Sequence, residues 1–399
     1  MGKRRWLAMM IAGTLWAGPA AAHEAEGHAA FLVVEADTGA VLEAENATHL
    51  WYPASLTKIM TAYLVFEALA TGRLDLDQTV LVSPHAAAQP PTKLGFGRGK
   101  RVSVRLLLKA MIVRSANDAA VVLAEAVSGS EAAFAAAMTR KAGALGMTQT
   151  VFRNASGLPD DGQVTTARDL LILARALIAD FPDRFGLFGQ RQFTLGGRTH
   201  STTNGWMQGY RGAEGIKTGF TCGSGYNLLS AAKRKGRRLI ALILGAKSSG
   251  ERNSRMTKLM NASFAKAPPS AEAAVLLDQL PREQSRVVPT ILSAGECASS
   301  AVIGGGHLPG WGVVFGSFVS KAKANQTIKR NRKVLKTLAR RGRPAIIPKA
   351  RKGPRRYSAL LVGLKQADAG QACQRLRSQG IYCLALRPQQ LNNQKAMWR

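Results

Sequence analysis

Two blocks of strand-like sequence, far apart in the chain, bracket a long run of helical patterning, and few folds accommodate that order. Phe31-Leu32-Val33-Val34 and Ala40-Val41-Leu42 flank Asp37-Thr38-Gly39, the signature of a β-hairpin. Tyr226 to Ala232 and Arg238 to Leu244, joined by Lys233-Arg234-Lys235-Gly236, give a second hairpin, and Gly215 to Gly219 reads as a strand leading into it. Between these blocks, apolar residues recur at helical spacing over Ser55 to Leu69, Val104 to Val127 and Asp169 to Ile178, and Glu131 to Gly143 is Ala-rich. The expected fold class is α/β of the α+β kind: an antiparallel sheet made of early and late strands, with a helical cluster inserted between them.

The chain has 399 residues, 46% of them hydrophobic, which allows about two domains with packed cores and excludes a disordered chain. Met1-Gly2-Lys3-Arg4-Arg5 is a positive leader, Trp6 to Trp16 is mostly apolar, and Ala20-Ala21-Ala22 supplies small residues before His23. Residues 1–22 therefore read as a signal peptide, since an apolar run this short does not span a bilayer. Residues 23–30 are expected to form a flexible mature N-terminus, and the mature protein to be periplasmic. His23 and His28 are one residue too far apart to share a helical face, so they do not form a zinc motif, and neither a metal nor an organic cofactor is expected. Export permits disulfides, for which Cys373 with Cys383 and Cys222 with Cys297 are the candidate pairs.

Three short motifs carry the chemistry, and their order gives them weight. Ser55 and Lys58 form Ser-x-x-Lys, Ser115-Ala116-Asn117 follows, and Lys217-Thr218-Gly219 comes last. The first motif alone says little, because Ser263/Lys266 and Ser320/Lys323 repeat it. A serine at a helix start has backbone N–H groups and the positive end of the dipole beside it, which favours an attacking alkoxide. Lys58, three residues on, lies on the same helical face and can take the serine proton if its pKa is pushed well below about 10.4. Ser115 is placed to relay that proton to a leaving amine, and Asn117 to orient Lys58 and a substrate backbone. Lys217 and Thr218 offer a cation and a hydroxyl to a carboxylate, and Gly219 permits close approach.

The ordered trio resembles the penicilloyl-serine transferases, in particular the serine D-alanyl-D-alanine carboxypeptidases. The resemblance covers Phe31 to Phe264 and includes Asn154-Ala155-Ser156-Gly157-Leu158-Pro159 and Thr165-Thr166-Ala167-Arg168-Asp169. It implies a penicillin-binding/β-lactamase-like catalytic domain over residues 31–266. It also implies a Ser55 acyl-enzyme, an oxyanion hole formed by the N–H groups of Ser55 and Phe220, and Arg252 near the substrate's terminal carboxylate. The implied substrates are peptidoglycan stem peptides ending in D-Ala-D-Ala, with β-lactams as inhibitors. Ala116 stands where many related enzymes carry a polar residue, but Ser115 and Asn117 are intact. A class A β-lactamase would need a Glu-x-x-Leu-Asn segment that is not found after Asn117. A DD-endopeptidase acting on cross-links would use the same residues and stays open, as does a catalytically weak septal scaffold.

Residues 267–309, beginning Ala267-Pro268-Pro269, read as a linker rich in Ala, Pro and Ser, and beyond them the composition turns basic. From Trp311 onward roughly 21 Lys/Arg face Asp368 alone, about two-thirds of the formal +31 charge. The patterning over residues 310–388 predicts the order βαββαβ, a small ferredoxin-like module. Val314-Phe315-Gly316-Ser317-Phe318, Ala372-Cys373-Gln374-Arg375-Leu376 and Gly380-Ile381-Tyr382-Cys383 resemble a SPOR domain. That resemblance implies binding to peptide-denuded glycan strands and enrichment at the division septum. The charge invites a nucleic-acid reading, but export and the lack of paired stacking aromatics in Gly312 to Phe318 argue against it. Residues 389–399 read as a frayed tail.

Overall fold

The computed structural model describes residues 30–281, 308, 310–335, 338, 342–349, 356–388 and 391. The expected signal peptide, nearly all of the mature N-terminus, Cys297, most of the linker and most of the tail lie outside the described residues.

Strands β1 (Ala30–Glu35) and β2 (Val41–Glu45) form the first hairpin. A 3-10 turn, Ala54–Leu56, runs directly into α1 (Thr57–Ala70). The inserted region continues through β3 (Thr79–Leu81), α2 (Pro84–Ala88), β4 (Arg101–Ser103), α3 (Val104–Val113), α4 (Asn117–Ser128) and α5 (Glu131–Ala144). It is completed by α6 (Ala167–Asp180), α7 (Pro182–Phe185), β5 (Gln192–Leu195), β6 (Arg198–Ser201) and α8 (Gly205–Gly209). The late strands are β7 (Ala213–Thr221), β8 (Gly225–Arg234) and β9 (Arg237–Ala246), followed by α9 (Ser249–Ala265).

The main sheet is antiparallel in the order β2-β1-β9-β8-β7, so early and late strands share one sheet and β7 is an edge. Side chains alternate between two buried faces, as the pleat requires. Leu32, Val34, Leu229, Ile240, Leu242 and Leu244 pack against the helical cluster. Val33, Leu228, Leu239, Ala241 and Ile243 pack with Trp206, Met256 and Met260 on the opposite face. Helix α1 packs among α3, α4, α5 and α6 and is buried along most of its length, which is why its sequence is apolar nearly all round.

The helix ends are legible in chemical terms. Ser103, Ser130, Thr166 and Ser248 each accept an N–H two or three residues into α3, α5, α6 and α9, at 3.0–3.3 Å. The helical pattern of Val104 to Val127 is broken at Arg114-Ser115-Ala116. Ser115 has φ +58°, a left-handed conformation that stops α3 and re-aims the chain so that α4 begins at Asn117.

The first residues of the Ala/Pro-rich connector lie against this body. Val41 N–H donates to the Val275 carbonyl at 2.8 Å, Arg168 Nη2 to the Asp278 carbonyl at 3.2 Å, and Leu277 is fully buried.

The C-terminal module contains β10 (Trp311–Phe318), α10 (Lys321–Leu335), β11 (Arg343–Lys349), β12 (Arg356–Leu364), α11 (Gln366–Arg377) and β13 (Leu384–Leu386). Its sheet order, β11-β12-β10-β13, is that of the split βαβ arrangement. Both helices cover one face, where Val313, Phe315 and Leu361 meet Ile328, Leu335 and Leu376. The last strand, β13, is only three residues long. Cys373 and Cys383 are disulfide-bonded with Cα atoms 5.2 Å apart, and Arg377 donates twice to the Cys383 carbonyl. Cys222 is also disulfide-bonded, and its expected partner, Cys297, lies outside the described residues.

Candidate active site

The 3-10 turn carries Ser55, and the first turn of α1 carries Lys58, whose side chain is buried. Lys58 Nζ lies 3.0 Å from Ser55 Oγ and 2.8 Å from Asn117 Oδ1, and also hydrogen-bonds to the Ser156 carbonyl. Asn117 is fixed in turn. Its Nδ2 donates to the Pro90 carbonyl at 2.9 Å and its backbone N–H to the Thr92 carbonyl at 2.7 Å, so the side-chain oxygen is the atom left facing Lys58. Ser115, almost fully buried, occupies the break between α3 and α4 just before Asn117.

The second wall is the edge strand β7, which carries Lys217, Thr218, Gly219 and Phe220 in succession. A Cβ on Gly219 would lie 3.1 Å from the Pro53 carbonyl oxygen and 3.2 Å from Ser55 N, so the strand backbone packs directly against the turn that carries Ser55. Lys217 Nζ donates to the Thr218 carbonyl at 3.1 Å, and the hydroxyls of Thr218 and Thr203 are 3.2 Å apart. Phe220 stacks on Tyr226 with ring centroids 4.3 Å apart. Arg252, in the first turns of α9, is also buried, and its guanidinium donates to Asn253 Oδ1 at 3.1 and 2.9 Å.

Electrostatics set the state of these groups. Burial pushes the Lys58 pKa well below the usual lysine value, and the Lys217 charge lowers it further, against the smaller opposing pull of Asp118 and Glu131. Burial, with Arg252 nearby, brings Lys217 down to about 7. Burial also lowers Arg252 to about 10. The site therefore brings a lysine that gives up its proton easily to the hydroxyl of Ser55, beside a second lysine poised near neutrality.

Sequence reasoning missed what the Asn154–Leu158 segment does. Ser156 offers its backbone carbonyl to Lys58, Ala155 offers its carbonyl to Thr61 Oγ1 at 2.7 Å, and Gly157 lies against the Ala54 carbonyl. A carbonyl acceptor leaves no side-chain signature. Gly157, at φ +82°, was the one signal available, since a glycine there implies close backbone approach. Asp118 was missed as well: its buried carboxylate accepts the N–H groups of Leu94, Gly95, Phe96 and Ala119, which fastens the loop before β4 behind Asn117. Among the described residues no group of three or more His, Cys, Asp or Glu is placed to hold a metal ion.

The model of a peptidase family described as D-alanyl-D-alanine carboxypeptidase matches residues 18–248, more than half of the chain. The chain belongs to this family. D-alanyl-D-alanine carboxypeptidase DacF of Bacillus subtilis is 35% identical over 252 residues, which cover 61% of this chain and 63% of that protein. DacC of Escherichia coli is 36% identical over 59% of this chain and 60% of its own length, so the chain spans under two-thirds of these relatives. The D-alanyl-D-alanine carboxypeptidase of Streptomyces sp. K15 is 34% identical over 65% of this chain and 95% of its own length. Among solved structures, penicillin binding protein 5 of Haemophilus influenzae superposes with a TM-score of 0.58 at 32% identity, over 59% of this chain and 70% of that one. Penicillin-Binding Protein D2 of Listeria monocytogenes, in its ampicillin-bound form, gives 0.54 at 34% identity, over 59% and 96%. The region common to family and chain contains all three motifs.

Proposed function

We propose that this chain is a serine DD-carboxypeptidase that removes the terminal D-alanine from peptidoglycan pentapeptide stems. The single observation that carries this reading is the 3.0 Å approach of a buried lysine to Ser55 Oγ, opposite Lys217 on the strand that packs against the nucleophile turn. Neutral Lys58 takes the Ser55 proton as Oγ bonds to the carbonyl carbon between the two D-alanines. The oxyanion is held by the N–H groups of Ser55 and Phe220. Lys217, Thr218 and Arg252 hold the substrate's terminal carboxylate, and Asn117 holds its backbone. The proton passes by way of Ser115 to the departing amine, the C–N bond breaks, and D-alanine leaves. Water, deprotonated by Lys58, then hydrolyses the ester and returns the proton to Ser55. β-Lactams, which pair an acyl centre with a carboxylate, enter the same sequence. The ampicillin-bound Listeria relative supports that part of the reading.

The basic C-terminal module is assigned to wall targeting. A ferredoxin-like fold, segments that resemble a SPOR domain and a surplus of Lys/Arg support binding to peptide-denuded glycan strands, with delivery through an N-terminal signal to the periplasm and enrichment at the septum.

The test is mass spectrometry after incubation with benzylpenicillin and, separately, with pentapeptide muropeptides, with Ser55→Ala as control. One penicilloyl adduct on Ser55 and loss of one D-alanine are expected. A folded protein that gives neither would overturn the reading, and release of peptide from cross-linked dimers alone would turn it into an endopeptidase. Pull-down with amidase-treated sacculi tests the targeting module, and equal retention on intact and denuded sacculi counts against it.

A further inference from the structure

Asn154 makes no hydrogen bond to Ser55 or Lys58, yet it organises the turn that reaches both. Its Oδ1 accepts four bonds: from the N–H groups of Ser156 at 3.2 Å, Gly157 at 2.7 Å and Leu158 at 3.2 Å, and from Ser156 Oγ at 3.3 Å. Its Nδ2 donates to the Leu158 carbonyl at 3.0 Å. The turn is also clamped from outside. Gln163, buried, accepts from the N–H groups of Arg153 and Asn154 and donates to the same Leu158 carbonyl. Glu131 accepts the Ala155 N–H at 3.0 Å, and Thr61 donates to the Ala155 carbonyl at 2.7 Å. The backbone on both sides of the Ser156 carbonyl is thereby committed elsewhere, and that carbonyl is presented to Lys58.

The consequence lies in the valences of an amine. Neutral lysine has two N–H bonds and one lone pair. Asn117 Oδ1 and the Ser156 carbonyl can only accept, so they take the two N–H bonds. The lone pair is then left for the third neighbour, the Ser55 hydroxyl. If either acceptor is displaced, the amine is free to turn an N–H toward Ser55 instead.

We propose that Asn154 is the positioning residue of the Lys58 base, holding the Ser156 carbonyl where it takes one N–H of the amine and aims the lone pair at Ser55. This rests on the acyl-transfer reading above. The charged groups that bear on Lys58 are Lys217 from β7, Asp118 from α4 and Glu131 from α5. An Asn154 substitution leaves all three in the chain.

The test is stopped-flow acylation by a fluorescent penicillin, resolved into the binding constant K, the acylation constant k2 and the burst amplitude. Asn154→Ala is expected to lower k2 by about tenfold to a hundredfold, the scale of an ångström-level misplacement, with K and the amplitude close to wild type. Asn154→Asp, which keeps the acceptor oxygen, should return k2 to within about threefold of wild type. An unchanged k2 in Asn154→Ala, or a loss confined to the amplitude as partial unfolding produces, overturns the proposal. If the alanine variant does not fold, Asn154→Ser, with a shorter acceptor, should give an intermediate k2, and a wild-type k2 there defeats the idea. A crystal structure of whichever of these two variants folds supplies a readout independent of activity. A Ser156 carbonyl still hydrogen-bonded to Lys58 Nζ would reject the positioning role, and a displaced one would support it. A wild-type chain inert to penicillin would defeat the acyl-transfer reading while leaving that crystallographic result to decide the role of the turn.

Discussion

Lys58 and Lys217 are buried in the same site: each residue is 1% exposed, and the charge of Lys217 adds to burial in lowering the proton affinity of Lys58. In the proposed mechanism the two lysines divide the work by protonation state: Lys58 is neutral to accept the Ser55 proton, and Lys217 is charged to hold a carboxylate.

The second-order acylation constant should therefore be bell-shaped in pH. It rises as Lys58 loses its proton and falls through about 7 as free Lys217 does. Bound carboxylate stabilises the Lys217 ammonium, so the alkaline limb should move upward at saturation. Lys217→Arg keeps its charge and should abolish the limb. A limb unmoved in that variant would assign it to another group.

Stability carries the same signature. Lys217 titrates near 7 in the folded chain and near 10.4 when unfolded. Below 7 both states hold the proton and the burial penalty is present in full. Between 7 and 10.4 only the unfolded state holds it, so the folded state gains up to about 1.4 kcal/mol per pH unit from this lysine. Urea denaturation of the catalytic body should show Lys217→Met stabilising more at pH 6 than at pH 9. The reverse order would contradict the assigned burial.

Gly157→Ala is predicted to disable the site. The new Cβ would fall 1.8 Å from the Ala54 carbonyl oxygen, at a φ of +82°. The nucleophile turn must shift, costing about 1–3 kcal/mol in backbone strain alone and at least about tenfold in penicillin acylation. Gly129→Ala, also at positive φ but with open space around it, should lose stability without that loss of rate. Equal effects on acylation would remove the case for the Ala54 contact.

The Cys373–Cys383 bond closes a short loop, with a sequence separation of 10. Cys373→Ser with Cys383→Ser should destabilise the C-terminal module by about 2–3 kcal/mol. Its hydrophobic core is formed from its own strands and helices, so scanning calorimetry should show the catalytic-body transition unchanged. Movement of both transitions together would imply that the two cores are coupled.

The strands that build the main sheet were legible because they are long and apolar, bounded by Asp-Thr-Gly and Lys-Gly turns. The trio was legible because its chemistry resides in side chains. The small pairs β3-β4 and β5-β6 were not foreseen: Arg198–Ser201 is short and polar, and its pairing with Gln192–Leu195 has no apolar alternation to announce it. The helix break at Ser115 interrupts a stretch, Val104 to Val127, that is helical in its pattern throughout, because a φ of +58° at serine is imposed by the surrounding packing and not by propensity. The Ala/Pro composition after Ala267 concealed Leu277, one apolar side chain that docks on the catalytic body. The Ser156 carbonyl was invisible for a deeper reason, since every residue has one.

The place of β1 in the main sheet sets a timetable. Ala30 pairs opposite Leu244, and β1 is flanked by β2 on one side and β9 on the other. A chain that emerges N-terminus first, whether from a ribosome or through a translocation pore, cannot close its central sheet until the last catalytic strand is out. Until then Ser55 and Lys217 belong to separate stretches of polypeptide, and the nascent chain holds no assembled nucleophile. Long-range pairing of this kind is slow to form. It delays the appearance of activity until nearly the whole catalytic body has been delivered.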